Sequence, residues 1–242
     1  MILLFPWALT QFRSHLVNLA ADVCKSAKVP MSLHLDHCLE YDLVKYAASL
    51  PFDSIMVDMS HYEKEENMRL SKEMVEYCNA RGIITECEPG RINGGEDGVA
   101  DTADLEEVLT NPEQAEEFVA LGIDWLAPAF GNVHGKYGPK GPQLDFPRLK
   151  SIEAKVGDRV RLVLHGAHED HFDEPMFQKL IAAGVAKFNI NGAMNNEYTK
   201  IQAEMAGKVP LTTVIEKGTE AMQKVVEQHM DWMGSSGKAG LL

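Results

Sequence analysis

The chain has 242 residues and a mass of 26.8 kDa, which is long enough to bury a substantial hydrophobic core. Hydrophobic residues make up 45% of it and charged residues 24%, a composition that excludes wholesale disorder. The formal net charge of −13 argues against a nucleic-acid partner, because such proteins need a basic surface to displace counterions from phosphates. A small anionic substrate remains compatible, since a metal ion or helix N-termini can make a site locally positive.

Neither the N-terminal segment nor the cysteines indicate export or a membrane partner. The apolar run at residues 1–9 is too short to cross a bilayer, and it lacks the basic residues that open a signal peptide. The four cysteines are widely spaced, without a C-x-x-C pair: Cys24, Cys38, Cys78 and Cys87. This spacing predicts reduced, mostly buried thiols in a cytoplasmic protein, not a disulfide framework.

In chain order, short apolar runs alternate with longer amphipathic stretches. The apolar runs predict seven buried strands, at residues 2–5, 31–35, 54–57, 83–87, 125–129, 161–164 and 187–190. The stretches between them predict helices, at residues 10–27, 40–49, 64–80, 112–120, 146–154, 175–183 and 193–206, with one further long helix at 211–233. Apolar strands separated by helices imply a parallel sheet that is covered on both faces.

One α/β domain is favoured, either a (β/α)8 barrel of the TIM type or an open doubly wound sheet. Polar residues cluster just after the strands, as they do at the mouth of a barrel. No G-x-G-x-x-G motif follows the first strand, which argues against a nucleotide-binding open sheet. Because no linker interrupts the series, we expect a single barrel domain over residues 1–233, followed by a flexible tail at 234–242.

Three histidines lie at or near the C-terminal ends of predicted strands: His37, His134 and His165. In a barrel these ends converge on one opening, so residues far apart in sequence can meet around one ion. Three neutral imidazoles with a fourth position left open are what a catalytic zinc site requires. The alternative for each histidine is a structural role, hydrogen-bonding a backbone carbonyl.

Carboxylates gather at the same predicted mouth. Asp36 precedes His37, Asp58 ends its strand, and Glu86 and Glu88 are two residues apart, so that their side chains share one face. Buried carboxylates need a nearby cation, and a metal ion would provide one. The alternative is that Glu86 or Glu88 pairs with a lysine such as Lys187 on another strand.

A long polar loop with four glycines follows the fourth predicted strand, at residues 89–98. Long loops in otherwise compact domains are often lids over a site. The alternative is a solvated surface loop with a charged tip.

Seven motifs together resemble the class II, zinc-dependent fructose-bisphosphate and tagatose-bisphosphate aldolases. In order they are LHLDH (33–37), IMVDMS (55–60), ECEPGR (86–91), GGED (94–97), GNVHGKY (131–137), LHGA (164–167) and KFNIN (187–191). Any one of them is a weak signal, whereas seven in this order and spacing form a strong one. The resemblance implies a barrel enzyme that cleaves a ketose bisphosphate to dihydroxyacetone phosphate and an aldehyde, or catalyses the reverse condensation.

The resemblance also implies a role for particular residues. His37, His134 and His165 look like the zinc ligands, and Asp58 and Glu88 like carboxylates that hold the metal in an alternative or second position. Asp36 resembles the acid/base at the hydroxyl that becomes the aldehyde, and Glu96 resembles the loop carboxylate that removes the proton next to the carbonyl. Substrate phosphate would be bound, largely through backbone N–H groups, at Gly135, Gly166, Ala167, His168, Asn189, Ile190, Asn191 and Gly192. The resemblance further implies a homodimer, and leaves room for a monovalent cation or a second divalent one.

The chain departs from the family pattern at several of these positions. Cys38 stands where glycine is common, Pro89 where leucine is usual, and His168 and Gly192 where the family has hydroxyl residues. His168 could replace one lost donor, particularly when protonated, but Gly192 has no side chain to donate. An altered substrate or a non-catalytic role therefore remains the alternative function.

Seven strand-like runs are one short of a closed eight-stranded barrel. The first run, followed by Pro6, Trp7, Ala8 and Leu9, resembles the second strand of the family. We therefore expect a barrel that lacks the first βα unit, with open edges that lower its solubility or its activity.

Overall fold

The computed structural model describes residues 1–95, 108–168 and 170–241. Within these ranges it contains all seven predicted strands: β1 (Ile2–Leu4), β2 (Leu33–Cys38), β3 (Ser54–Val57), β4 (Ile84–Cys87), β5 (Trp125–Leu126), β6 (Arg161–Leu164) and β7 (Val185–Phe188). The strands form one parallel sheet in the order of the sequence. This order is that of a singly wound (β/α) barrel, and it excludes a doubly wound sheet.

Helices connect the strands and cover the outer face of the sheet. They are α1 (Pro6–Phe12), α2 (Ser14–Ser26), α3 (Tyr41–Ala47), α4 (Lys64–Asn79), α5 (Pro112–Val119), α6 (Phe146–Val156), α7 (Glu174–Ala182), α8 (Gly192–Met205) and α9 (Leu211–Trp232), with a 3₁₀ turn at Ala239–Leu241. Among the described helices, none combines the length and the hydropathy that crossing a bilayer requires.

The sheet is curled around one opening. In a flat sheet β2 and β7, five strands apart, would be separated by about 24 Å, at about 4.8 Å for each neighbouring pair. Asn189, which directly follows β7, nevertheless donates hydrogen bonds of 2.8 and 2.9 Å to Asp36 in β2. The seven strands therefore form a curled half-barrel, and its C-terminal edge brings distant residues together.

Two hydrophobic layers result from the alternation of side chains along the strands. Ile55 and Val57 of β3 join the large core between the sheet and the helices, whereas Met56 between them packs inside the curl with Ala127 and Val163. Along the chain, Met56 and Val163 each come two residues before a polar residue of the mouth, Asp58 and His165.

The sequence misplaces the ends of several elements. A single helix at residues 10–27 is wrong: α1 begins at Pro6, and Arg13, at φ 52° and ψ −138°, separates it from α2. β5 has only two residues, where five were predicted, and β7 begins and ends two residues before the predicted strand. β2 extends through Asp36 and His37, which the prediction placed beyond its end, because buried polar residues at a strand terminus have the pattern of a loop.

The thiols and several helix starts agree with the sequence prediction. All four cysteines are free, and Cys38, Cys78 and Cys87 are buried. Burial raises the pKa of Cys38 to about 12 and that of Cys78 to about 11. Helix α5 begins with a capping box in which the Asn111 side chain accepts from the Gln114 N–H at 2.8 Å.

Candidate active site and metal centre

Three buried histidines meet at the C-terminal edge of the sheet. His37 lies in β2, His165 directly follows β6, and His134 comes from the loop after β5. Nε2 of His37 lies 2.8 Å from Nδ1 of His165. The ring centroid of His37 is 4.6 Å from each of the other two, and those two are 5.7 Å apart. One ligand nitrogen from each ring falls within 4.8 Å of the other two, which is close enough for one metal ion to bind all three.

A bulge in β2 turns two consecutive side chains toward this cluster. The pairing register between β2 and β3 shifts between Leu35 and Cys38, and His37 has a positive φ of 46°. In a regular strand Asp36 and His37 would face opposite sides of the sheet. Here His37 contacts His165 while Asp36 contacts Asn189, both at the mouth. The bulge thus places a candidate acid/base beside a candidate metal ligand.

Each of two histidines has a carboxylate on the ring nitrogen that faces away from the cluster. Nδ1 of His37 donates to Asp58 Oδ2 at 2.7 Å, and Nε2 of His165 donates to Glu86 Oε1 at 2.8 Å. A carboxylate behind an imidazole fixes the ring and its tautomer, an arrangement typical of histidines that bind zinc. The third histidine, His134, has a buried Nε2 without any hydrogen-bond partner. The residues present therefore fit a metal ion that three imidazoles hold.

Two of the three imidazoles have pKa values shifted in opposite directions. Burial lowers the pKa of His134 well below the usual value, and His37 and His165 lower it further, so this ring is neutral and could serve as a ligand. Burial would also lower the pKa of His37, but the carboxylates of Asp36 and Asp58 outweigh it and raise the pKa to about 10. His37 consequently carries a proton at neutral pH unless a metal ion displaces it.

Asp58 and Glu88 lie on the other side of His37 and form with it a second group that could hold a cation. Asp58 accepts from the Ser60 N–H at 3.0 Å, and Glu88 Oε1 accepts from the Ile92 N–H at 2.6 Å. Glu88 Oε2 is buried with no partner. Burial and the neighbouring Asp58 raise the pKa of Glu88 well above its usual value. A cation bound by this second group could take this oxygen as a ligand.

Asp36 is held by a side chain from the opposite part of the curl. Asn189 Nδ2 donates to both carboxylate oxygens, at 2.9 and 2.8 Å. Burial would raise the pKa of Asp36, but His37 and the His34 side chain hold it well below its usual range. Asp36 is therefore an anion at neutral pH and can accept a proton.

Glu86 pairs with Lys187, as the alternative to a metal ion predicted for the two glutamates, whereas Glu88 does not. Lys187 Nζ lies 2.8 Å from Glu86 Oε2 and 2.7 Å from Asn189 Oδ1. The predicted strand began at Lys187, which is wrong: β7 begins at Val185, and Lys187 is its third residue and reaches the site. Glu88, in contrast, has the backbone of Ile92 as its partner.

Two further residues that the sequence did not single out join the loops around the histidines. The Asn132 side chain donates to the backbone oxygen of His165 at 3.1 Å, and the Tyr137 hydroxyl donates to the backbone oxygen of Gly166 at 2.9 Å. At Gly166, with φ 78°, a Cβ atom would come within 2.1 Å of the Val133 oxygen, so only glycine fits. Asn132 and Tyr137 both lie inside the motif GNVHGKY, so the motif could have indicated them from the sequence.

The predicted phosphate residues occupy the loops around the mouth. Asn189 contacts Asp36 directly, whereas Gly192 begins α8 and the Asn191 side chain accepts from Asn195 in its first turn. Nδ1 of His168 accepts from the Asp170 N–H at 3.3 Å. The N-terminus of α8 thus lies three residues from Asn189, next to the site.

Glu96 lies outside the described residues, but the stem of its loop does not. The His134 N–H donates to the Asn93 oxygen at 2.8 Å, and Arg91 pairs with Val108 across the base of the loop. A Cβ atom at Gly94 would come within 2.3 Å of the His134 oxygen. The loop that carries Glu96 therefore begins against a candidate metal ligand, two residues before Glu96 itself.

The chain is similar to known proteins along its whole length. The family model "Fructose-bisphosphate aldolase class-II" matches residues 1–238. A Coccidioides immitis protein named "putative fructose-bisphosphate aldolase" is 60% identical over 99% of this chain and 81% of its own length. A crystal structure from that organism, under a similar name, superposes with a TM-score of 0.97 over 100% of this chain and 84% of that one, at 60% identity.

A more distant relative is also a fructose-bisphosphate aldolase by name. The fructose-bisphosphate aldolase of Geobacillus stearothermophilus is 37% identical over 87% of this chain and 72% of its own length. The match covers the histidines, the carboxylates around them and the sheet that brings them together. The chain belongs to the class II fructose-bisphosphate aldolase family.

Proposed function

We propose that this protein catalyses zinc-dependent aldol cleavage, and the reverse condensation, of a ketose bisphosphate. The substrate is fructose 1,6-bisphosphate or a close analogue, and the products are dihydroxyacetone phosphate and glyceraldehyde 3-phosphate or its counterpart. One observation carries the proposal: His37, His134 and His165 converge in a buried cluster directly beside the ionised Asp36. A metal site adjoining a fixed proton acceptor suits the cleavage of a carbon–carbon bond next to a hydroxyl.

Each residue of the site has a proposed role in this reaction. Zn²⁺, when bound by the three histidines, would act as a Lewis acid that stabilises the negative charge developing on the ketone half of the substrate. Asp36 accepts the proton of the C4 hydroxyl as the aldehyde forms and the electron pair of the C3–C4 bond passes to C3. Glu96 then delivers a proton to C3, and it removes that proton in the condensation direction. Lys187 is hydrogen-bonded to Glu86 and Asn189, so it is not placed as a Schiff-base nucleophile.

Activity with and without a chelator tests the proposal. Purified protein should cleave at least one member of a panel of ketose bisphosphates, lose that activity after chelator treatment, and regain it with zinc. Cleavage that is unaffected by complete removal of metal would contradict it. Cleavage of a different hydroxy-ketone, but of no bisphosphate in the panel, would favour the second candidate, an aldolase with an altered substrate. Protein purified without metal and unable to bind zinc would favour a non-catalytic role.

The altered-substrate candidate rests on His168 and Gly192, where the family has hydroxyl residues. Loss of a charge-assisted hydrogen bond to phosphate costs about 1.5–3 kcal/mol. If fructose bisphosphate is the substrate, the double variant His168→Ser/Gly192→Thr should lower KM for it by about tenfold or more. His171→Ser, a change in the neighbouring loop, is the matched control. An unchanged KM in the double variant would show that these two positions do not bind phosphate.

Zinc binding should depend on pH through His37. This ring carries a proton at neutral pH, because its pKa lies at about 10, and the metal must displace that proton. The apparent zinc affinity should therefore rise by about tenfold for each pH unit between about pH 6 and 8. Chelator competition at several pH values measures this slope. His15→Ala, at an exposed position in α2, should keep it, and an affinity that does not vary with pH would contradict the prediction.

Glu96 should matter for proton transfer rather than for metal binding. We expect Glu96→Ala to slow the exchange of the C3 proton of dihydroxyacetone phosphate with solvent by about 100-fold or more, with zinc content unchanged. Exchange into deuterated water, followed by NMR, measures this step without the aldehyde. Glu65→Ala, an exposed glutamate in α4, is the control. Normal exchange in Glu96→Ala would remove this residue from the mechanism.

We also propose, from the family resemblance, that the protein is a cytoplasmic homodimer. Light scattering on the purified chain measures its oligomeric state, and a monomer at the concentration of the activity assay would contradict this proposal.

A further inference from the structure

A continuous line of hydrogen bonds runs behind the metal cluster, from one candidate ligand to the candidate acid/base. His165 Nε2 lies 2.8 Å from Glu86 Oε1, and Glu86 Oε2 lies 2.8 Å from Lys187 Nζ. Lys187 Nζ also lies 2.7 Å from Asn189 Oδ1, and Asn189 Nδ2 donates to Asp36 at 2.8 and 2.9 Å. Lys187 joins the two arms, and Asn189 Nδ2 also lies 3.3 Å from His165 Nε2.

We propose that Lys187 is a positioning residue that sets both His165, through Glu86, and Asp36, through Asn189. It would touch neither the metal nor the substrate. The inference rests on the proposed function for the role of Asp36. For His165 it requires only that this ring bind a metal ion.

The orientation of Asn189 shows why a donor is needed at this point. An amide group can rotate by half a turn, exchanging its oxygen with its nitrogen. In the rotated state Asn189 would present its oxygen to the carboxylate of Asp36, and that contact is repulsive. Because an ammonium group has donors and no acceptor, Lys187 accepts only the orientation in which the amide oxygen faces it. The Asn189 nitrogen is then directed at Asp36.

Lys187 also directs the Glu86 carboxylate, and through it the ring of His165. Glu86 is fully buried, so its carboxylate must have its lone pairs satisfied by protein groups. With Lys187 on Oε2, Oε1 is left for the His165 ring. Such a carboxylate holds the imidazole in one tautomer and one ring orientation, and its loss typically weakens metal binding.

Among the described residues, the other basic groups near Glu86 and Asp36 are histidines, and none of them contacts the Asn189 oxygen as Lys187 does. Of these, His34 has its Nε2 3.6 Å from Glu86 Oε2 and 3.7 Å from Asp36 Oδ1, beyond hydrogen-bonding distance, and that nitrogen is buried without a partner. His34 Nδ1 lies 2.8 Å from the Ser54 hydroxyl. Lys187 is itself 12% exposed in its side chain, with its ammonium 5.3 Å from the Trp125 ring centroid.

Three lysine variants test the inference, with zinc affinity measured by chelator competition and kcat and KM measured separately. Lys187→Met should weaken zinc binding by about 10–100-fold. It should also lower kcat by about 10–100-fold, since small misplacements of a reacting group are costly, while KM changes little. Lys187→Arg, which keeps the charge and the donors, should recover part of both losses. Lys64→Met, which removes an exposed lysine paired with Glu117 at 2.7 Å, is the matched control.

A double variant separates positioning from mere neutralisation of a buried charge. In Glu86→Gln/Lys187→Met both charges are gone, so folding should be retained even if Lys187→Met alone unfolds. If Lys187 orients Asn189, the double variant should have kcat about tenfold below that of Glu86→Gln alone, because the amide has lost its donor. If Lys187 only neutralises Glu86, the double variant should equal or exceed Glu86→Gln, and that result would overturn the inference.

Two readouts keep this inference distinct from the proposed function. Zinc affinity does not involve the substrate, so the His165 arm can be tested even if no ketose bisphosphate is cleaved. Unchanged zinc affinity in Lys187→Met, in folded protein, would overturn that arm. Failure of the unmodified protein to cleave any substrate would instead count against the proposed function.

Discussion

Alanine at His37, His134 or His165 is expected to remove bound zinc and abolish cleavage. Each ring supplies one of three nitrogens that lie within 4.8 Å of one another, and no other described histidine completes the same group. The loss of zinc affinity should exceed the 10–100-fold that removal of a ligand's hydrogen-bond partner costs, roughly, at such sites. Elemental analysis of the purified variants and assay of cleavage after zinc addition measure both effects.

The exposed His15→Ala is the control for this series, since it removes an imidazole of α2 that belongs to none of the groups of possible metal ligands. Circular dichroism establishes that each variant is folded. Full zinc occupancy in all three variants would eliminate the histidine cluster as the metal site, and with it the proposed chemistry.

Asp36→Asn should abolish cleavage while leaving zinc bound. The asparagine keeps the shape of the side chain and can still accept from Asn189 through its oxygen, but it cannot take up the C4 hydroxyl proton. General-base catalysis contributes about 10²–10⁴-fold, so we expect a fall in kcat of that size with KM changed little. Steady-state kinetics on the zinc-loaded variant measures the fall.

Asp22→Ala, an exposed position in α2, is the control for Asp36→Asn. Zinc content must be measured alongside the kinetics, because Asp36 adjoins His37 in β2 and a displaced strand would also lose metal. A zinc-loaded, folded Asp36→Asn with ordinary activity would show that the proton is accepted by another group.

Local patterns were sufficient for the element order and for most of the chemistry-bearing residues. Strands of near-continuous apolar residues and helices of mixed periodicity predict a parallel α/β sheet, because the burial of both sheet faces requires that pattern. The histidines at strand ends predict a convergent site for the same reason: in a barrel, every strand ends at the same rim. The end of β2 was misplaced because polar residues that are buried have the local pattern of a loop.

The partners of the buried charges could not be predicted locally. Glu86 and Glu88 have equivalent sequence settings, yet Glu86 pairs with Lys187, 101 residues away, while Glu88 accepts from a backbone N–H four residues on. Which carboxylate meets the lysine depends on how far the sheet curls and on the register of β7 against β6. Neither quantity is encoded in the residues around the glutamates.

By itself, the sequence of this protein determined an alternating series of strands and helices, a set of histidines and carboxylates at the strand ends, and a family resemblance. Only the tertiary structure decided that Asp36 and His37, adjacent in β2, both face the site, since that depends on a bulge and a positive φ at His37. It likewise decided that Lys187 joins Glu86 to Asn189. The physical reason is the same in both cases: the energy of a buried polar group depends on partners that the fold, and not the neighbouring residues, brings within hydrogen-bonding distance.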